Sequence, residues 1–277
     1  MHVPTKNNSQ RHTLLRLAVF LLACLTAFCG CVSTSGRSEP LASFSSSDDT
    51  PVNATGSPSP QKKRVAITFD DGPQYNNPGQ NTQALVDELD RYGFHATFFV
   101  LGNRIGNGDA LKYAVDHGNE IGIHGLTHEK YFDTCNDSVY EQELSQTATR
   151  IRSVLPDYEV RLMRPPGGRI SSTRLASCPY AVIGWSIDSD DWNHRYYAGI
   201  SDADAEAEIN AIVENVMSAV NDGDIILMHD IYQSSFDAAK AILKKLYDEG
   251  YDVVTVSELF GGTPAAGHEY TYAPPIA

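Results

Sequence analysis

Two histidines four residues apart, in the segment His124-Gly125-Leu126-Thr127-His128, are the first residues of this chain that could do chemistry together. If the segment turns, both imidazoles can face one ion. Two neutral imidazoles and a carboxylate make a three-ligand set with one position open to water, the arrangement of catalytic zinc sites. Alone the pair is a weak signal, because histidines at this spacing are often core or surface residues. A second cluster strengthens it. In Thr68-Phe69-Asp70-Asp71-Gly72-Pro73 an apolar run ends in two adjacent carboxylates and then turns. Such acids commonly cap a helix or lie in solvent. Beside an ion short of a carboxylate they can divide the work, one as ligand and its neighbour as general base.

Groups so far apart in sequence need a scaffold that gathers them. Strand-like runs fall at 65–70, 95–102, 120–125, 162–166, 180–188, 224–230 and 252–256. Helical periodicity lies between them: Leu85, Val86 and Leu89 share a face ahead of Gly93, and 138–155, 202–220 and 236–248 repeat the pattern. Strands alternating with helices imply parallel strands and an α/β fold. The polar residues cluster where strands end: Asp70 and Asp71, His124, Arg164, Asp188, then His229 and Asp230. A closed sheet would bring these ends to one mouth. With about seven strands, a distorted (β/α)7-type barrel is expected.

Five short motifs then occur in a fixed order: TFDDGP, HxxxH, RPPGG, WSIDSDDW and LMHD. Over about two hundred residues, from Val65 to Phe260, they resemble the polysaccharide deacetylase family, also called the NodB homology domain or carbohydrate esterase family 4. The resemblance implies the NodB homology fold and a hydrolase that removes acetyl groups with a divalent ion. It implies Asp70 as catalytic base, Asp71, His124 and His128 as metal ligands, and Arg164 as the residue that orients the base. The Gly167 N–H would help hold an oxyanion, Asp191 would orient the general acid His229, and Trp192 and Leu227 would line the groove and acetyl pocket. The implied metal is zinc, with cobalt or manganese as alternatives.

The roles suit amide hydrolysis, which needs an activated water, a stabilised oxyanion and an acid for the departing amine. An imidazolium backed by a carboxylate suits the last task. Two positions depart from the family pattern. Gly125 replaces a Ser or Thr whose hydroxyl would brace the loop, which is expected to soften the site. Gly167 stands where an aromatic residue is common, which is expected to open one wall of the groove. His95, His117 and His194 have no partner pattern and read as structural or surface residues, and Tyr196 and Tyr197 as packing residues. Asp230 reads as a loop brace and Asp188 as an orienter of its neighbours.

The rest of the chain says where this chemistry would happen. With 21 Lys+Arg against 35 Asp+Glu, a net charge of −14 argues against nucleic acid as a partner. Arg11 precedes and Arg16 enters an apolar run, Leu14 to Phe28, that is too short for a comfortable membrane span and reads as a secretory signal over 1–31. Cys31, or less well Cys24, stands in a context like a lipoprotein cleavage site, with Cys29 between them; an ordinary signal peptide remains the alternative. Residues 32–61 are Ser/Pro-rich and read as a flexible linker, 62–262 as the catalytic domain and 263–277 as a loose tail. Cys135 and Cys178 could form a disulfide or stay as separate thiols.

The expected protein is therefore exported and held to the outer face of the membrane only through its N-terminus, with its oligomeric state open. Its expected substrate is an N-acetylated glycan, peptidoglycan N-acetylglucosamine first. Chitin oligomers, poly-N-acetylglucosamine and O-acetylated xylan are alternatives. A non-catalytic wall-binding lipoprotein is a distant one, since a dead copy has no need of five convergent polar groups.

Overall fold

The computed structural model describes residues 62–74, 82–196 and 199–274. The expected signal, the three cysteines within it, the linker, Tyr197 and the last three residues lie outside that range. Nine strands and seven α-helices follow in the order β1 (Arg64–Asp70), α1 (Thr82–Asp90), β2 (Thr97–Val100), α2 (Asp109–Asp116), β3 (Glu120–Ile123), α3 (Asp137–Val154), β4 (Leu162–Met163), α4 (Ser172–Ser177), β5 (Ala181–Ile183), β6 (Ile187–Asp188), α5 (Asp202–Met217), β7 (Ile225–His229), α6 (Gln233–Asp248), β8 (Asp252–Val253), α7 (Val256–Leu259) and β9 (Glu269–Tyr270).

All strand pairings are parallel, in the order β6-β7-β1-β2-β3-β4-β5-β9, with β8 beside the start of β1. Strands buried on both faces read as near-continuous apolar runs, and Val65 to Phe69 are at most 1% exposed. Val65, Ile67 and Phe69 pack outward with the helices in one core, alongside Leu85, Val86 and Leu89 of α1. Ala66, Leu162 and Ile225 belong to a second core with Phe99 and Ile183.

Parity along the strands carries this second core to the site. Residues two apart point to the same face. Hence Ala66 leads to Thr68 and Asp70, Leu162 to Arg164, and Ile225 to Leu227 and His229.

The sheet is strongly curled. β1 and β4 are separated by β2 and β3, roughly 14 Å at the usual strand spacing. Yet Arg164, just after β4, hydrogen-bonds Thr68 Oγ1 on β1 at 2.7 Å. The two rims of the trough are joined covalently. The segment expected as one strand over 180–188 breaks at Gly184-Trp185-Ser186: β5 pairs with β4, whereas β6 pairs with β7. These three residues step across the gap, which leaves the barrel incomplete, as the count of about seven strands led one to expect.

The tail is not loose where it is described. β9 pairs with β5, Ala273 N–H donates to Gly223 O at 2.9 Å, and Ala273 is buried. It closes the seam from the end opposite the site. The strand expected at 252–256 is also cut short, because Thr255 starts α7 through a reciprocal capping box with Glu258. Cys135 and Cys178 are both free thiols, and Cys135 Sγ accepts from Arg174 Nη1 at 3.3 Å.

Candidate active site

At the C-terminal ends of the strands a pocket of about 380 Å³ is lined by Asp70, Asp71, His124, His128, Gly167, Trp192, Leu227 and His229, among others. These residues come from five segments far apart in sequence. Register brings two of them together directly: Asp70 and His229 are cross-strand partners on β1 and β7.

Asp71, His124 and His128 each offer a ligand atom within 4.8 Å of the other two. Asp71 Oδ1 lies 3.5 Å from His124 Nε2 and 3.8 Å from His128 Nε2. Among the described residues that oxygen is buried without a hydrogen-bond partner, which a bound cation would supply. His124 is 2% exposed, and burial lowers its imidazole pKa, so the ring is neutral at working pH. Its Nδ1 donates to Arg164 O at 2.8 Å, which leaves the Nε2 lone pair facing Asp71. The donor set thus fits a divalent cation. The 124–128 segment is a turn and not a helix; Gly125 at φ +92° and His128 at φ +63° bring the two rings to 5.2 Å between centroids.

Beside this triad, Asp70 Oδ1 accepts from Arg164 Nη1 at 2.9 Å, and Asp70 Oδ2 lies 3.6 Å from His124 Nε2. Arg164 is fully buried, and its guanidinium also donates to Thr68 Oγ1, Ile183 O and Gly184 O. It stacks 4.4 Å from the Phe99 ring and 5.5 Å from Trp185. A planar fork held at four acceptors has one rotamer, and it fixes that of Asp70.

On the facing rim, His229 Nδ1 donates to Asp191 Oδ1 and its backbone N–H to Asp191 Oδ2, both at 2.7 Å. Asp191 is fully buried. Burial alone would depress the His229 imidazole, but the hydrogen bond and charge of Asp191, with Asp70 and Asp71 behind, push it up to about 9. Nε2 is left to face the pocket.

The other expected residues fall as follows. Leu227 is buried on the floor and Trp192 is 46% exposed on the wall. Gly168 and Arg169 N–H groups are used within their own turn, donating to Pro165 O and Pro166 O. The Gly167 N–H meets no acceptor among the described residues. Asp188 lines the pocket, but its carboxylate accepts from Asp190 N–H and orients that turn. Asp230 packs on Gly72, where an added Cβ would come within 2.4 Å of its carboxylate. It accepts from Thr82 Oγ1, and burial pushes its pKa up to about 7. His95, His117 and His194 do have partners, the carboxylates of Glu258, Asp90 and Glu208, all outside the pocket. Tyr196 donates to Asp237 at 2.6 Å.

Two expectations are corrected. The loop after His124 is not left unbraced by Gly125. The buried Glu143 carboxylate of α3 accepts from Leu126 N–H at 2.5 Å, Thr127 N–H at 3.0 Å and Thr127 Oγ1 at 2.8 Å. A Cβ on Gly125 would stand 3.0 Å from that carboxylate, on a backbone that disfavours side chains. The signal was a carboxylate on the buried stripe of α3, with Tyr140, Leu144, Thr147 and Ile151. Nor does Gly167 leave the wall open, because the Tyr131 ring fills the space beside it, 3.0 Å from where a Cβ would stand. Trp185 and Tyr232 also line the pocket and were not singled out in sequence.

Known proteins are similar to this chain in sequence and fold. The family model described as polysaccharide deacetylase matches residues 57–183. The peptidoglycan-N-acetylmuramic acid deacetylase PdaC of Bacillus subtilis is 38% identical over 201 residues, covering 72% of this chain and 39% of that protein. Its solved structure superposes with a TM-score of 0.63 at 36% identity, covering 73% of this chain and 91% of the solved one. The peptidoglycan-N-acetylglucosamine deacetylase PgdA of Listeria monocytogenes is 32% identical, covering 75% of this chain and 41% of that protein. A family 4 acetyl xylan esterase from Clostridium thermocellum, solved with a cobalt ion, superposes with a TM-score of 0.63 at 27% identity, over 77% of this chain and all of that one. The chain spans about two fifths of the length of the first two relatives.

Proposed function

The chain belongs to the polysaccharide deacetylase family, and from that premise we propose that it is a metal-dependent hydrolase of N-acetyl groups on peptidoglycan N-acetylglucosamine. The observation that carries the reading is the placing of two proton-transfer groups around one ligand triad, a carboxylate and an imidazole each fixed by a buried partner: Asp70 held by Arg164, and His229 held by Asp191. Zinc is the proposed ion, held by Asp71, His124 and His128. When bound it would lower the pKa of a water and polarise the acetyl carbonyl.

The chain's own residues do the rest. Asp70, oriented by the Arg164 guanidinium, accepts the proton of the attacking water as its oxygen bonds to the acetyl carbon. The Gly167 N–H donates to the carbonyl oxygen as negative charge gathers there. The C–N bond then breaks, and His229, protonated at neutral pH, gives its Nε2 proton to the sugar amine. Leu227 packs against the methyl group and Trp192 against the sugar. Acetate and a free amine leave.

The relatives' names support a peptidoglycan substrate and divide on the sugar, since one names N-acetylmuramic acid and the other N-acetylglucosamine. Export through the N-terminal signal and anchoring at Cys31 would place the domain at the wall. The deciding experiment treats purified peptidoglycan with zinc-loaded protein, measures acetate, and identifies the newly free amino sugar after hydrolysis. Free glucosamine supports the proposal. Free muramic acid alone moves the activity to the other sugar, and no acetate from peptidoglycan refutes the substrate.

A further inference from the structure

Tyr131 is one of four large apolar side chains exposed among the described residues, and with Trp192 it is one of the two that line the pocket. The Tyr131 ring is 42% open to water at the pocket rim, so a face of it is available to whatever enters the pocket. Its position is also built. The ring edge lies against Gly167, with Cε1 3.0 Å and Cδ1 3.5 Å from where a Cβ would be, and Gly167 is at φ +61°, a backbone suited to glycine. The Arg169 guanidinium lies 4.4 Å from the ring centroid. Arg169 is in turn pinned by Asp133 Oδ2, which accepts from Nε at 3.0 Å and from Nη2 at 2.8 Å. Asp133 is two residues beyond Tyr131, and Arg169 two beyond Gly167. The circuit therefore ties the loop after the metal ligands to the turn that carries the Gly167 N–H, with the ring as its inner face.

We infer that Tyr131 is a specificity-determining residue, the aromatic wall on which a pyranose ring of the glycan packs beside the oxyanion position, and that Arg169 is its positioning residue. This rests on the reading of the pocket as a glycan deacetylase site. A tyrosine offers a large rigid face at small entropic cost, and the axial C–H groups of a pyranose present a complementary apolar face. Free rotation of a rim tyrosine would waste that face. The guanidinium stacked on the ring, itself fixed by Asp133, removes the freedom.

The test compares wild type, Tyr131→Ala, Tyr131→Trp and Arg169→Gln, all zinc-loaded full-length chain, on an N-acetylglucosamine tetramer, acetylated xylotetraose and a small activated acetyl ester. Tyr131→Ala is expected to raise KM for the glycan that wild type turns over by about tenfold, with kcat within about twofold. Hydrolysis of the ester, which has no ring to pack, should fall far less than glycan kcat/KM, and an unchanged zinc stoichiometry and circular-dichroism spectrum show the fold intact. Tyr131→Trp should restore KM, and Arg169→Gln should raise it about threefold. An unchanged glycan KM in Tyr131→Ala, or equal losses on glycan and ester, overturns the wall while leaving the deacetylase reading standing. A wild type that cleaves the ester but neither glycan nor purified peptidoglycan overturns that reading and the wall with it.

Discussion

Replacing Asp191 by Asn keeps the shape of the residue behind His229 and removes its charge. Two opposing effects set the His229 pKa: burial, which favours the neutral ring, and the Asp191 carboxylate at 2.7 Å, which favours the imidazolium. The carboxylate wins and the ring reaches about 9 from an ordinary 6.5, worth roughly 3 kcal/mol between the two protonation states. At pH 7.5 nearly every ring is then protonated. Without that charge, burial is opposed only by the more distant Asp70 and Asp71, so the pKa falls and a smaller share of the rings carries the proton at that pH. Glycan deacetylation at pH 7.5 should therefore drop, by about tenfold if the pKa returns to the ordinary 6.5, and the alkaline limb of kcat should move to lower pH. An activated acetyl ester, whose leaving group needs no proton, should lose far less. NMR titration of the His229 ring in metal-free protein, where no dication opposes the ring's charge, gives the pKa directly. The sign for stability follows from the raised folded value. The contribution is fully present below about 6.5 and is lost as pH rises through about 9, so wild type should shed up to roughly 3 kcal/mol across that window and Asp191→Asn should not. An alkaline limb at the same pH in both proteins would refute this account of His229.

Removing metal with a chelator should abolish turnover and adding zinc should restore it, while His124→Ala should lose bound zinc and Asp70→Asn should keep it and lose about 10²–10⁴ in rate, checked by metal stoichiometry beside acetate release. Glu143→Ala leaves the Leu126 and Thr127 N–H groups without their acceptor and should weaken zinc affinity about tenfold or more, as measured by competition with a chromophoric chelator. Deleting 268–277 removes at least three backbone hydrogen bonds, at Val182, Gly184 and Gly223, worth about 1 kcal/mol each, and should lower Tm by roughly 6–12 °C or more by calorimetry. A fatty-acid probe should tag cells expressing wild type but not Cys31→Ala; loss of the tag in Cys24→Ala instead would move the lipid to that residue.

Much of the site could be read from the sequence because its groups stand where apolar strands end, and strand parity carries that adjacency into space. Ala66, Thr68 and Asp70 alternate inward as directly as Ile225, Leu227 and His229 do. What was missed depends on contacts between distant segments. The run 180–188 is continuous in its apolar character, so nothing local marks Gly184-Trp185-Ser186 as the step from one rim to the other. β9 is two residues long, and its reason is the open edge of β5. The Thr255-Val256-Ser257-Glu258 pattern is a legible helix start, obscured by the valines on either side of Thr255. Glu143 and Tyr131 act on loops beyond their own elements, and no local pattern says which loop a buried carboxylate or a rim aromatic will meet.

The same long-range supports explain how the ligand triad is held. Asp71 at φ +73° and His128 at φ +63° are both in the left-handed region, as is Asp190, one residue before the partner of His229. Non-glycine residues held in sparse backbone regions cost about 1–3 kcal/mol each and persist only where their surroundings over-determine them. Here the surroundings can be named. Asp230 packs on Gly72 directly after Asp71, Glu143 binds the two residues before His128, and Asp188 accepts from Asp190 N–H. None of these supports reaches the buried Asp71 Oδ1, which still lacks a partner among the described residues. The scaffold therefore satisfies the backbone around the ligands and leaves the ligand atom itself unsatisfied. In that state a cation gains a preformed carboxylate without breaking a hydrogen bond, and the strain is already met by contacts the metal does not make.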